Sequence, residues 1–177
     1  SEAEDALRKA KRLADEDRKA AKRALEEAKK SAEEVKKAAK RALEEAKRIA
    51  EDVKRAADEG RDEEDARRIL EEARRAIEEL AKRLKKILDD NERETKRLAE
   101  ELRKINEDTK REIERLEKDA RGEEAAREAK KLAKDAADVS RKAAKDAKDL
   151  SKEAADVARK AAEDARRLAE EAARKAK

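Results

Sequence analysis

The chain has 177 residues, of which 58% are charged and none is aromatic, and 53 basic against 49 acidic side chains leave a formal charge of +4. It contains no Cys, His, Met, Pro, Phe, Trp, Tyr or Gln. These absences exclude disulfides, an ordinary zinc or copper site, an imidazole base and a thiolate nucleophile. A composition rich in Ala, Glu, Lys, Arg and Leu is instead typical of long helices.

The first predicted helix covers residues about 2–59. Ser1 and Glu4 form a capping box, in which the Ser side chain caps the helix start and the Glu side chain reaches back to it. Leucine then recurs every 18 residues, at Leu7, Leu25 and Leu43. Gly60 is predicted to end this helix because glycine readily adopts the left-handed conformation of a C-terminal cap.

The second predicted helix covers residues about 62–120. The acidic run 62–65 caps its start and places negative charge at the positive end of the helix dipole. The 18-residue period continues, with isoleucine in one phase and leucine in another, so that the large apolar side chains form a narrow stripe. The recurring residues are Ile69, Ile87 and Ile105, then Leu80, Leu98 and Leu116.

The third predicted helix covers residues about 123–176 and follows Gly122. Leu132, Leu150 and Leu168 keep the same period, but most of the remaining apolar face is alanine. Small side chains let helix axes approach near the low end of the usual 8–10 Å separation. We therefore expect helices 1 and 3 to pack closely through alanine, with the bulky stripe of helix 2 in the groove between them.

These elements predict an all-α fold: a single-chain, antiparallel, up-down-up three-helix bundle that forms one domain over residues 1–177. Eighteen residues in five turns is 3.6 residues per turn, the pitch of an undistorted helix, so the helices should be long and nearly straight. The short connections require neighbouring helices to run antiparallel.

Eight polar residues interrupt the apolar pattern and are the candidate site residues. Folding the chain at its turns places Ser31, Asn91 and Ser151 at one level of the bundle, and Asp17, Asn106 and Ser140 at another. The full set is Asp17, Ser31, Asn91, Thr95, Asn106, Thr109, Ser140 and Ser151.

Buried polar groups of this kind specify register. An unpaired buried amide or hydroxyl costs about 1–3 kcal/mol, so misaligned packings are penalised. The sequence thus predicts two hydrogen-bonded polar layers, in which an ionised Asp17 needs a partner such as Arg103 or Lys104. Partial exposure at the edge of the apolar stripe remains the alternative, above all for Asp17, Thr95 and Asn106.

The period, the reduced alphabet, the turns at Gly60 and Gly122 and the aligned polar residues resemble computationally designed, untwisted helical bundles with buried hydrogen-bond networks. The resemblance covers essentially the whole chain and implies a rigid, very stable scaffold or building block with no natural biochemical activity. The alternative is a subunit of a designed oligomer, or a helix-binding module, that uses the alanine-rich face of helices 1 and 3. Such a subunit would self-associate through that face.

Other classes of function are predicted to be absent. Glu94 and Glu112 share a phase, but 18 residues separate them by about 27 Å, so they cannot form an acid–base pair and the chain is not expected to be an enzyme. No cofactor, metal or obligatory partner is expected. The charges interleave along the sequence without an evident one-signed stripe, which argues against nucleic-acid binding.

Membrane insertion is not expected either, because uncharged residues never run longer than two. The sequence predicts a soluble chain that is cytoplasmic when expressed recombinantly.

Overall fold

The fold, seen in a computed structural model that describes residues 2–60, 62–119 and 123–175, consists of three long α-helices. The helices are α1 (Glu2–Asp58), α2 (Glu63–Asp119) and α3 (Glu123–Lys175). All described residues have trans peptide bonds, and no non-glycine residue among them has a positive φ. The predicted roles of Ser1 and Gly122 at helix ends lie outside the described residues.

The connection between α1 and α2 shows why the chain turns there. Gly60 has a φ of 67°, a conformation that costs a side-chain-bearing residue energy, and its amide donates to the carbonyl of Ala57 at 3.3 Å. The Oδ1 atom of Asp62 then accepts a 2.9 Å hydrogen bond from the amide of Asp65. This bond satisfies one of the amides that an α-helix leaves unpaired at its N-terminus.

The contacts divide the chain into two compact units. Unit 1 consists of the described residues within 1–30 and 93–151, and unit 2 of those within 31–92 and 152–177. Each unit contains one stretch of each helix. In both units α2 runs antiparallel to α1 and α3, so the three-helix bundle and its up-down-up order are confirmed at this level.

The core of unit 1 combines alanine from α1 and α3 with larger side chains from α2. Ile113 (0% exposed) packs with Ala10 and Ala129, and a second cluster surrounds Leu98 and Leu102. The alanines of that second cluster are Ala21, Ala24, Ala28, Ala143 and Ala147.

The core of unit 2 likewise combines large side chains of α2 with alanine from α1 and α3. Ile77 and Leu80 of α2 pack against Ala46 of α1 and against Ala165 and Ala169 of α3. Ala46 has no exposed surface. Most alanines of α1 and α3 in the described residues are therefore buried inside the units.

Candidate functional site

The best-defined polar contact of unit 1 joins α1 to α3. The hydroxyl of Ser140 donates to Oδ1 of Asp17 over 3.0 Å. Asp17 is fully buried and Ser140 is 4% exposed. Both positions were predicted at one polar level, and the structure brings them into direct contact.

The carboxylate of Asp17 is incompletely satisfied. Its Oδ2 atom is buried without a hydrogen-bond partner, and so is Nε of the adjacent Arg18. Burial raises the pKa of Asp17 because it disfavours the charged form, and the Ser140 bond and the charge of Arg18 only partly oppose this effect. Arg103, one of the partners expected for Asp17, instead pairs with Glu100 and Glu107 on α2.

The other predicted polar residues of unit 1 occupy different environments. Asn106 is half-buried and lines a groove between α2 and α3 that Ser140 also lines. Thr95 and Thr109 are buried, at 8% and 7% exposure. Ser151, at 8% exposure, is also assigned to unit 1.

Unit 2 contains the second polar pair. Nδ2 of Asn91 donates a 2.7 Å hydrogen bond to the hydroxyl of Ser31, joining α2 to α1. Asn91 is 3% exposed, whereas Ser31 is half-buried. A complete three-residue layer that includes Ser151 stays a prediction.

Substituting Asn91 by Leu should preserve or raise the free energy of unfolding while removing the bond that favours one register. The reason is that apolar replacement of a buried polar group restores packing and removes a desolvated amide. Guanidinium unfolding, followed by circular dichroism, measures the effect.

The matched variant Ser31→Ala should behave oppositely and lose about 1 kcal/mol, because it removes the hydrogen bond that Ser31 accepts from the buried Asn91 amide. A large loss of stability in Asn91→Leu would contradict a role in specificity.

Substituting Asp17 by Asn should stabilise the chain near neutral pH. Since the folded state holds the Asp17 proton more tightly than the unfolded state, Asp17 costs stability as pH rises from the ordinary aspartate pKa of 3.8 through its raised pKa in the folded state. The stability gained by Asp17→Asn should therefore be small below that window, grow across it and level off above it.

Unfolding experiments at several pH values measure this difference directly. Asp52→Asn is the control, since Asp52 lies on the same helix with its side chain 71% exposed. A pH-independent difference for Asp17→Asn, or an equal effect of Asp52→Asn, would show that the buried carboxyl does not titrate as argued.

One feature escaped the sequence analysis: basic residues gather along one edge of α3. Lys130, Lys134 and Arg141 line the α2/α3 groove of unit 1. In the corresponding groove of unit 2 the charged α3 residues are Arg159, Glu163 and Arg166. In unit 1 the charged α3 residues of this groove all have one sign, whereas Glu163 interrupts the series in unit 2, and the expectation that the chain does not bind nucleic acid stays a prediction. The basic residues recur at steps of four and seven residues, which return to the same side of a helix. In unit 1 acidic residues lie between them in the sequence but do not line the groove.

Within 2–60, 62–119 and 123–175, no three His, Cys, Asp or Glu side chains gather where they could hold a metal ion. In the same residues, no helix combines the length and apolar character needed to cross a membrane. The polar pairs Asp17–Ser140 and Asn91–Ser31 form hydrogen bonds between helices.

Comparison with known proteins agrees with the fold. The chain is similar to a solved structure described as a "Computationally designed three helix bundle", with a TM-score of 0.51 and 23% sequence identity. The match covers 99% of this chain and 87% of the other. No protein-family model matches the chain, and no curated protein does. The similarity therefore establishes the three-helix-bundle class.

Proposed function

We propose that the chain is a designed structural scaffold, without catalytic activity, whose buried polar pairs help to set the register of its helices. The observation that carries this proposal is the pairing of Asp17 with Ser140 and of Asn91 with Ser31. Each bond joins two different helices, next to a core whose buried side chains are mostly apolar. The likeness to a designed three-helix bundle and the absence of His and Cys support the same interpretation.

The energetics of the core also favour a scaffold. Apolar burial stabilises at roughly 25 cal/mol per Å², and alanine loses no side-chain rotamer freedom when it is buried. Exposed ion pairs add little: Arg97 and Glu101, for example, form a 2.6 Å contact with both side chains more than half exposed. We therefore expect stability to depend weakly on salt.

The second candidate is an oligomer subunit or helix-binding module that uses the outer helices. Val139 and Val157 of α3 favour it, since they are 40% and 42% exposed and lie one repeat apart. The alanines themselves offer less support, because Ala14, Ala21 and Ala136 are fully buried.

Sedimentation equilibrium over a wide concentration range separates the two candidates. The scaffold proposal predicts a mass of 20.1 kDa at every concentration. If the mass rises with concentration and the Val139→Glu variant returns it to the monomer value, the scaffold proposal is wrong and the chain is an oligomer subunit. The control Ile87→Glu removes an exposed isoleucine from α2 and should leave the mass unchanged.

A further inference from the structure

A groove runs between α2 and α3 in unit 1. It consists of two adjoining cavities of about 620 and 300 Å³, and both are lined by Asn106 and Arg141. Its apolar lining combines Ile113 and Leu102 of α2 with small residues of α3. The small residues are Ala133, Ala137 and Ala144, all half-buried.

The two rims of this groove differ in charge. On the α3 rim every charged lining residue is basic: Lys130, Lys134 and Arg141. The α2 rim is mixed, and its charged lining residues are Arg103, Glu107, Lys110, Glu114, Glu117 and Lys118. The groove therefore has six basic and three acidic lining residues, with the positive excess on α3.

The positive charge of the α3 rim is available to a partner. Among the described residues none forms an ion pair with Lys130 or Lys134. Arg141 contacts Asp138 of its own helix at 3.7 Å, but its side chain is 75% exposed, where such a pair is worth little. On the α2 rim, Glu107 is already engaged by Arg103 at 2.7 Å.

We propose that this groove binds an acidic amphipathic helix of another protein. The helix would place its apolar stripe on the half-buried alanines Ala133, Ala137 and Ala144, and its carboxylates beside Lys130 and Lys134. Small residues on α3 allow an added helix to approach closely, and helix-in-groove binding uses anchors at i, i+3 or i+4, and i+7.

The alternative occupants fit less well. A nucleic acid would meet three carboxylates on the α2 rim and an apolar floor without an aromatic side chain. A second copy of the chain offers little open apolar surface, because most apolar side chains of the described residues are buried, and the large ones that are exposed, Ile87, Ile105, Val139 and Val157, are only 37–42% accessible.

The α1/α2 groove of unit 1 provides an internal comparison. Its volume is similar, about 560 Å³, but its charged lining residues are Lys9, Arg12, Glu16, Asp108 and Glu112. It thus has one more acidic than basic residue, and its floor contains the bulky Leu13, Ile105 and Leu116. An acidic helix should therefore prefer the α2/α3 groove.

The test uses the full chain and a fluorescein-labelled 18-residue peptide of Leu, Ala and Glu with leucine at helical spacing. Fluorescence anisotropy should show saturable binding that weakens at least tenfold when Lys130, Lys134 and Arg141 are all replaced by Glu. The control triple variant Lys9→Glu, Arg12→Glu, Lys19→Glu changes net charge equally on α1 and should keep the affinity within about twofold. Circular dichroism verifies that both variants remain helical.

Further measurements exclude the other occupants. A peptide of the same composition in scrambled order should bind at least tenfold more weakly, since its leucines no longer share one face. Equal binding of both peptides, equal losses in both triple variants, or no binding at all would overturn the proposal. So would tighter binding of an 18-base-pair DNA duplex at this groove, or a dimer of the chain alone that the Lys130, Lys134, Arg141 variant abolishes.

Discussion

Replacing Ile77 by Ala should lower the free energy of unfolding by about 2–5 kcal/mol. Ile77 is only 1% exposed and packs in unit 2 against Ala46, Leu80, Ala165 and Ala169. Alanine neighbours are short and anchored to rigid helices, so they cannot extend into the space that the isoleucine leaves. The loss should therefore include a cavity term as well as the lost burial.

Guanidinium unfolding measures this effect, and Ile87→Ala is the matched control. Ile87 lies on the same helix and in the same unit but is 37% exposed. It should lose under about 1 kcal/mol, since far less apolar surface leaves the core. Similar losses of unfolding free energy in the two variants would mean that the large apolar side chains of α2 do not form the main part of the unit 2 core.

Replacing Ala46 by Leu should cost about 1–3 kcal/mol through overpacking, or more if the helices cannot separate. Ala46 has no exposed surface and shares its cluster with Ala165 and Ala169 of α3. A leucine at this position must push α1 away from α3 or adopt a strained rotamer. The same guanidinium experiment reports the loss.

Ala38→Leu is the control for this substitution. Ala38 is a half-buried residue of the same helix and unit, so the longer side chain can turn toward solvent and the stability should change little. The double variant Ile77→Ala, Ala46→Leu should lose less than the sum of its parts, because the added side chain fills the vacated volume. Strict additivity would contradict direct packing between these positions.

Much of the fold follows from local features of the sequence. Gly60 and Asp62 mark a turn because a positive φ and a side-chain cap are local requirements that few residue types satisfy. The 3.6-residue period shows which residues share the apolar face of each helix. Those faces are rich in alanine in α1 and α3 and carry larger side chains in α2. The long-range pairing of Asp17 with Ser140 was predictable because both interrupt an apolar stripe and lie level once the turns are fixed.

The ion pairs were not predictable from the same reasoning. Arg103 has acidic residues within reach on its own helix, and these neighbours compete with Asp17 at no cost in burial. The basic rim of α3 was missed for a different reason. The excess of basic residues on this rim is found only when residues are sorted by their angle around the helix. The exposure of these side chains depends on the distance between α2 and α3, which the sequence does not give.

The parallel contact between α1 and α3 through alanine is the central structural claim, and pairwise cysteine substitution tests it most directly. The chain has no natural cysteine, and Ala10 and Ala129 belong to one buried cluster of unit 1. A disulfide requires Cα atoms about 4.4–6.8 Å apart. We predict that the Ala10→Cys, Ala129→Cys variant oxidises readily to an intramolecular disulfide, while the out-of-register Ala10→Cys, Ala147→Cys variant keeps free thiols. Equal oxidation of both pairs, or failure of the in-register pair alone, would contradict the account.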